Sequence, residues 1–577
     1  MAHPSEGSKE AEARQENADK NQLVQILKET QIQLRSDPDN QELLLQLATL
    51  QKHQGETTKA VENALKVKLS EKSNPTTLLN LGCLLFELGN ADDAIARIKL
   101  SLKIKPDYAH AYSNLGAMLN AKYNRHSAIR SYLKACRLEA NNSSHYHTSG
   151  CLYRDEQNLK SAKSLAKSAI LLAPTDASHW FTLGLIQHAE GEAQKKSAIR
   201  SYLQCLYHNK KNKDAFNNIG YIYQQEGRLD KAIFYYKKGL SIDSSNAHIN
   251  HNLSTALLAC GYYPEGWKHY HWRLSDAAIT AVHAVPECPI WDGSIPTTDE
   301  RIGIISEQGL GDTLHFIRYC LVLKKMKLSY QVFAQKPLLN LIKEAGIDEQ
   351  CQSHADINHF KLDKWIPLMS LPWILGVTPS KPIIQTPYLK TRPTLIKKWR
   401  TKLKSRKAFT IGIKWQGTPS NENLFGDTTT GRSFPLKALK PITDNFDVSL
   451  VSLQKDAGSE QIKSCGFAES FSRANDEIQE IRCFQETAAI MKNCDLIITS
   501  DSLIAHLAGG LGLPTWILLS HNPEWRWGIQ GSTTFWYPSA TLFRQTSKGN
   551  WTEVVQSVVK KLEELQIPKI HNPSSSL

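Results

Sequence analysis

The sequence predicts an α-helical repeat solenoid followed by an α/β domain of two Rossmann-like halves. Three observations predict it. Small residues recur every thirty-four residues through the first half of the chain. Beyond Arg301, short apolar segments alternate with helical stretches, the pattern of a parallel sheet covered on both faces. A proline-rich passage from Pro367 to Pro393 divides that alternation in two. At 577 residues the chain is too long for one core, so two or three domains are expected.

Composition narrows the classes. With 22% charged and 41% hydrophobic residues the chain reads as a soluble globular protein, and no apolar run of about eighteen residues predicts a transmembrane segment. Met1 to Lys20 is polar without an apolar h-region, so the expected location is cytoplasmic. Eleven scattered cysteines with no C-x-x-C pair fit reduced, mostly buried thiols better than zinc ligation or a disulfide framework. The net charge of +13 suits anionic partners such as nucleic acid, lipid or phosphorylated substrates. No long basic run or aromatic-and-basic RNA motif accompanies it, so nucleic acid is not the expected partner.

In chain order, residues 1–20 are expected to be a polar tail. Asn21 to Arg35 reads as an isolated helix ended by Asp37-Pro38. Small residues then fall at Ala48, Gly82, Gly116, Gly150 and Gly184, thirty-four apart, with Gly220 and Ser254 following after steps of thirty-six and thirty-four. The longer step places two extra residues near Glu192 to Lys196, in a helix-helix turn. A second small position runs through Ala60, Ala94, Ala128, Ala162, Ala198 and Ala232. Asn80-Leu-Gly-Cys-Leu-Leu-Phe, Ala94-Ile-Ala-Arg-Ile and Pro106 resemble the tetratricopeptide repeat (TPR) family, about seven repeats within a solenoid of residues 21–273. Each helix pair in such an array buries its apolar face against its neighbours, leaving a concave groove for a protein or peptide. Asn80, Asn114, Asn218 and Asn252, with Thr148 and Thr182 between them, stand two residues before the small position. This column is similar to the asparagine ladder of protein O-GlcNAc transferases, whose amides can bond an extended peptide backbone; Asn-Leu-Gly is also simply common in such repeats.

Residues 274–300 lose helical periodicity and gather Pro286, Pro289, Gly293 and Pro296, which marks a connector, with Trp291 as its packing anchor. The two halves of the α/β domain then span 301–395 and 396–566, with a tail at 567–577. Strands are expected at Ile302 to Ile305, Tyr330 to Phe333, Phe409 to Trp415, Val448 to Leu453, Leu496 to Ser500 and Thr515 to Leu519, and a closing helix at Trp551 to Leu565.

Four local features in this region carry chemistry. After the first strand comes Glu307-Gln308-Gly309-Leu310-Gly311-Asp312, a glycine turn opening a helix with Asp312 as a free carboxylate, although an Asp in that place is most often a helix cap. No Gly-Lys-Ser/Thr follows, so the turn is not a P-loop. Lys414-Trp-Gln-Gly417 ends a later strand and is followed by Gly431-Arg432-Ser-Phe-Pro435. At Asp501-Ser502-Leu503 a strand ends and a helix begins, whose free amides would favour a diphosphate. Last comes Asn522-Pro-Glu-Trp525-Arg526-Trp527.

Gly311-Asp312-x-x-His315 and Asp501-Ser-x-x-x-His506-x-Ala-Gly-Gly resemble the heptosyltransferase-like family of GT-B glycosyltransferases. The order of the whole chain is similar to bacterial proteins that fuse TPR arrays to such a domain. The resemblance implies an inverting, metal-independent transfer of a sugar from a nucleotide-sugar donor to a protein or glycan acceptor, with no cofactor. It implies Asp312 as the general base, with His315 one turn on to orient the base or acceptor. Arg432 and the amides of Ser502 and Leu503 would stabilise the leaving diphosphate. Lys414, Asp501 and His506 would line the donor pocket, and Glu307, Gln308, Gly309, Gly311 and Arg526 would supply loop contacts. Arg432 stands where the family has lysine and Ser502 where it usually has threonine, which leaves the donor sugar open. The only Asp-x-Asp triplet, Asp37-Pro-Asp39, falls in the repeats, so no metal site is expected. Plainer readings stand beside these: His506 as a core histidine, Lys414 and Arg526 as surface ion-pair residues, Trp525 and Trp527 as packing, and the whole chain as a non-catalytic TPR scaffold with a silent glycosyltransferase-like domain.

Overall fold

The computed structural model describes residues 22–67, 73–275, 282–296, 300–383, 387–403, 409–417 and 431–569. The tail expected at 1–20 and most of that at 567–577 lie outside the described residues. The chain divides into two compact units, Met1–Lys210 and Lys211–Leu577, so the division falls inside the repeat array.

The first unit opens with a helix over residues 22–36. Antiparallel helix pairs follow: Gln41–His53 with Thr57–Lys66, Pro75–Glu87 with Ala91–Ile104, Ala109–Ala121 with Arg125–Leu138, Ser143–Asp155 with Leu159–Leu172, and Ala177–Ala189 with Lys195–His208. Asx residues start many of them. The side chains of Asn40, Asn74, Asn142 and Asp176 accept backbone N–H groups in the first turn, satisfying donors that the helix itself leaves free. The turn inside each pair needs positive φ, met by Gly89 at +86° and, at the same place one repeat on, by Tyr123 at +58°. The thirty-four-residue small positions are where paired helices touch. A Cβ on Gly116 would stand 2.7 Å from the Tyr132 ring, and one on Gly184 2.5 Å from Tyr202. The two extra residues form part of a 3-10 turn, Glu192–Gln194.

The second unit begins with two more helix pairs, Lys213–Gln225 with Leu229–Leu240 and Ala247–Ala259 with Tyr263–Tyr270. The last pair is part of the α/β body. Trp267 donates its indole N–H to the Val377 carbonyl at 2.9 Å, and its ring packs edge-on against Trp525. Beyond it lie two all-parallel sheets. The first comprises β1 (Arg301–Ile305), β2 (Ser329–Ala334), β3 (Gln352–Ser353) and β4 (Lys364–Pro367), in the order β3-β2-β1-β4. The second comprises β5 (Phe409–Lys414), β6 (Val448–Ser452), β7 (Leu496–Ser500), β8 (Thr515–Leu519) and β9 (Ala540–Arg544), in the order β6-β5-β7-β8-β9. β6, β7 and β8 are buried at every position, as strands covered on both faces must be. The closing helix, Trp551–Glu564, lays Trp551, Val554, Val555, Val558 and Leu562 against the second sheet. In the connector, Trp291 is buried and donates its backbone N–H to Trp365 of β4 at 2.7 Å.

In both sheets the strand order reverses about a central strand. In the first, β2 and β4 lie on opposite sides of β1; in the second, β6 and β7 flank β5. Ligands of open α/β sheets bind beyond the carboxyl ends of strands at such switch points. The Asp312 turn follows β1, Lys414 ends β5, and Asp501 follows β7. Among the described residues, no helix is long and apolar enough to cross a membrane. The eleven cysteines form no disulfide.

Candidate functional site

The turn after β1 is built from bonds made by its own residues. Ser306 Oγ lies 2.8 Å from His354 Nε2 and 3.1 Å from Gln335 Oε1, anchoring the start. Gly309 caps the helix Leu310–Phe316 and donates its N–H to Asp312 Oδ2 at 3.0 Å. Asp312 is therefore the third residue of its helix, and one oxygen takes the N-cap N–H, the one half of a capping box open to a glycine N-cap. Its other oxygen accepts from Arg526 Nη2. The sequence expectation of a free carboxylate is corrected here: both oxygens are engaged, and the side chain keeps 20% of its surface exposed.

Glu307 is corrected as well. Expected as a loop contact to ligand, it is 1% exposed and takes two bonds from Arg273, Nε to Oε2 at 3.0 Å and Nη2 to Oε1 at 2.6 Å. The Met369 N–H adds a third at 3.1 Å. Water cannot reach this pair, so its partners must all come from protein. Gln308 adopts φ +57°, and its carbonyl lies 3.0 Å from His283 Nε2. Gly309 is exposed.

Arg526, read from sequence as either a loop contact or a surface ion-pair residue, is only 7% exposed. Glu524 caps the 3-10 turn Trp525–Trp527, accepting the Arg526 backbone N–H at 2.9 Å and Arg526 Nη1 at 2.6 Å. The guanidinium lies over the rings of Trp525 (4.6 Å) and Phe316 (5.1 Å). One arginine thus joins the turn after β8 to the helix after β1.

The second-half loops meet this cluster. A Cβ on Gly311 would lie 3.4 Å from Leu503 Cα and 3.2 Å from His506, so the two helix starts are in close approach. Ser502 caps the helix Leu503–Leu511 by accepting the Ile504 N–H at 3.3 Å, and its Oγ stands 3.0 Å from Thr499 Oγ1. Asp501 is 8% exposed. Burial pushes its carboxyl above the usual range against the pull of Trp527, Arg432 and Arg526, while the charge of Asp312 pushes the same way. Lys414 pairs with Thr499 in the β5–β7 ladder and so stands beside that edge. The loop between Gly417 and Gly431 lies outside the described residues, but Arg432 at its far end acts electrostatically on both Asp501 and His506.

His315 and His506 share one hydroxyl. His315 Nδ1 lies 2.8 Å and His506 Nδ1 3.0 Å from Tyr537 Oη. A single O–H has one hydrogen to give, so at most one of the two rings accepts from it and at least one carries its own proton on Nδ1. Burial, with nearby arginines, holds both far below the ordinary histidine range. His315 Nε2 has no partner among the described residues, so this histidine orients nothing at Asp312 through a hydrogen bond.

The asparagine column is partly self-satisfied. In the first unit Asn80 is exposed, while Asn114 is half-buried, donating to the His110 carbonyl at 2.9 Å and accepting from Cys83 Sγ at 3.4 Å. Thr148 donates to the Ser144 carbonyl, and Thr182 Oγ1 lies 3.0 Å from His147 Nε2. In the second unit Asn218 is half-buried and Asn252 donates to Asn217 Oδ1 at 3.0 Å. Glu524 and Tyr537 are central to the site, and sequence reasoning missed both. The charged triplet around Trp525 was the available signal for Glu524; nothing local marked Tyr537.

Residues 75–108 and 214–246 each match a model of the tetratricopeptide repeat, so the chain carries such repeats. Protein FlbA of Caulobacter vibrioides is 23% identical over 333 residues, 54% of this chain and 54% of FlbA, so the chain spans about half the length of that relative. Among solved structures, MamA is 25% identical over 29% of this chain and 96% of its own, with a TM-score of 0.28. YrrB, a TPR protein with an unusual peptide-binding site, is 22% identical over 34% of this chain and 96% of its own, with a TM-score of 0.28.

Proposed function

We propose that the α/β domain transfers a sugar from a nucleotide-sugar donor to a protein or glycan acceptor, inverting and without a metal, and that the repeats hold the acceptor or an assembly partner. The observation that carries this reading is convergence. The turn after β1 and the helix start after β7 come from different sheets, each at its own switch point, and meet around Asp312, Asp501 and Arg526. In the reaction, Asp312 takes the proton of the acceptor hydroxyl as that oxygen bonds to the anomeric carbon. The bond from that carbon to the diphosphate breaks with its electron pair leaving on oxygen. Arg432 and the amides that open the helix Leu503–Leu511 meet the charge that develops. Lys414 and Asp501 line the donor side.

The test is to incubate the protein with a panel of nucleotide sugars and follow nucleoside diphosphate release. If wild type and Asp312→Ala release it at the same background rate, the reading is lost. For the repeats, Asn114→Ala combined with Asn218→Ala weakens capture of an extended peptide; unchanged capture removes the groove from the account. One observation favours a second reading, a scaffold whose α/β domain is silent: both oxygens of Asp312 are already bonded within the protein. The same release assay separates the two.

A further inference from the structure

A second cavity lies away from the strand ends that carry the candidate site. About 940 Å³ in volume, it opens between the end of the helix Cys320–Lys325, the turn at Ala345 and Gly346, and the short segments 381–383 and 387–390. The helix end leads into β2 and the turn leads toward β3, so the cavity sits at the amino end of the first sheet, whereas the Asp312 turn follows the carboxyl end of β1. Lys324, Lys325, Lys381 and Lys390 line it, and no acidic residue does. Lys324 Nζ donates to the Gly346 carbonyl at 2.7 Å; among the described residues the other three ammonium groups have no carboxylate partner. The acids on neighbouring segments are engaged elsewhere or lie outside the lining. Glu344 accepts from Arg392 Nε at 3.0 Å, Asp348 accepts the Val332 and Gln350 N–H groups at 2.7 and 2.8 Å, and Glu349 is exposed beyond the turn. Four like charges round one space repel one another, and an anion placed among them relieves that repulsion.

We propose that this cavity binds a compact polyphosphate, recognised through its phosphates whatever base is attached to them. The walls narrow the choice to that class. A space of this size suits a small molecule. Leu321, Ala345 and Ile383 make its sides apolar, and Pro387 is held in place because the next two residues, Tyr388 and Leu389, both donate their N–H groups to the Gly510 carbonyl at 2.9 Å. None of the lining residues is aromatic, so nothing stacks a nucleobase. All the cations are lysines, which act as point charges on flexible stems and not as the planar fork by which arginine picks out one oxyanion geometry. A chain of phosphates brings several charges within reach of all four lysines, as a single carboxylate does not. The site stands apart from the donor reading above and does not depend on it.

The probe is inorganic tripolyphosphate, titrated calorimetrically into the full chain at low salt. The intact chain should bind it, added salt should weaken the binding, and ATP and GTP should displace it with affinities within about threefold of each other. Lys325→Gln, Lys381→Gln and Lys390→Gln combined should weaken it by about tenfold or more. All three side chains are exposed, so the variant folds as the parent does. Lys437→Gln, Lys463→Gln and Lys560→Gln combined remove the same charge from other exposed positions and should leave the affinity unchanged. No binding by the intact chain, equal losses in the two triple variants, or full binding in the cavity variant each overturns the proposal. A parallel sedimentation with phosphatidylglycerol vesicles tests the other source of clustered phosphates. Vesicle binding that the cavity variant abolishes, with no tripolyphosphate bound by the intact chain, would assign the lysines to a membrane surface and overturn the proposal as well.

Discussion

Arg526 stands 214 residues beyond Asp312 in sequence and donates to its carboxylate. The bond ties the end of β8 to the helix that follows β1, so each half of the α/β domain supplies one side of the same ion pair. Asp312 cannot be considered alone: whatever it does to a substrate, it does with a guanidinium on one oxygen and a backbone N–H on the other.

The first prediction separates chemistry from support at that pair. Under the proposed reaction, Asp312→Asn should lower transfer by about 10²–10⁴-fold, the usual scale for a lost general base. Arg526 still has Glu524 in that variant, so the urea midpoint moves little. Arg526→Met strands two carboxylates and costs about 3 kcal/mol or more in unfolding free energy. If Asp312→Asn destabilises as much as Arg526→Met while transfer is unaffected, Asp312 is structural.

Arg273 and Glu307 give a second prediction. Both side chains are sealed from water, and besides each other they bond the Tyr270 carbonyl, Ser370 Oγ and the Met369 N–H, between the last repeat and the sheet. Removing one partner, as in Glu307→Gln or Arg273→Met, costs about 3–5 kcal/mol. Denaturant titration reads the loss. Hydrogen exchange should show early opening of the helix Tyr263–Tyr270, and protection there equal to wild type would contradict it.

Acid should weaken the second unit. Burial holds His315 and His506 far below the ordinary histidine range and brings His251 and His271 down to about 4. The unfolded chain takes up these protons near pH 6.5, the folded chain only at much lower pH. Stability is thus complete above about 6.5 and falls as pH drops below it, by up to about 1.4 kcal/mol per unit for each histidine. Urea midpoints at pH 7.5, 6 and 5 measure it. His271→Phe should flatten the curve, and an unchanged slope would remove His271 from the explanation.

The small positions of the repeats differ among themselves. A Cβ at Gly184 meets the buried Tyr202 ring at 2.5 Å, so Gly184→Ala costs about 1–3 kcal/mol. At Gly150 the nearest atom is 3.4 Å away, an ordinary contact, and Ala gains up to about 1 kcal/mol of helix propensity. Thermal melts of the two variants should move in opposite directions; parallel shifts would count against the packing argument.

The sequence showed most clearly what is periodic. The thirty-four-residue rhythm gave the helix pairs, and long apolar strands such as β7 and β8 stood out because both of their faces are buried. β3 is too short to show a pattern, at two residues, and β4 is hidden where Lys364-Trp-Ile-Pro367 runs into the proline-rich passage. In the site, the strand ends at Asp312 and Asp501 were readable because glycines and caps are local signals. Glu307 was misread because a carboxylate in a glycine turn looks exposed, while the arginine that buries it lies 34 residues earlier, at the end of the repeats. Glu524 bonds Arg526 only two residues on, so its signal was local and was passed over, whereas Tyr537 depends on His315 and His506, partners distant in the chain that no local pattern records.

Arg318 also waits for a distant partner, and that has a consequence in time. Its fully buried guanidinium sits between the rings of Tyr388 and Tyr537 and donates to the Trp536 carbonyl at 2.7 Å, 218 residues later. A ribosome adding about 5–20 residues per second delivers Trp536 roughly 10–45 s after Arg318. Until then that arginine has the His315 carbonyl and, later, the Tyr388 hydroxyl but not the Trp536 carbonyl, and the helix before it has no Tyr537 to lie against. The first sheet therefore emerges early but closes late, after the repeats are already made, and a chain interrupted anywhere before β9 presents that unsealed surface to its surroundings.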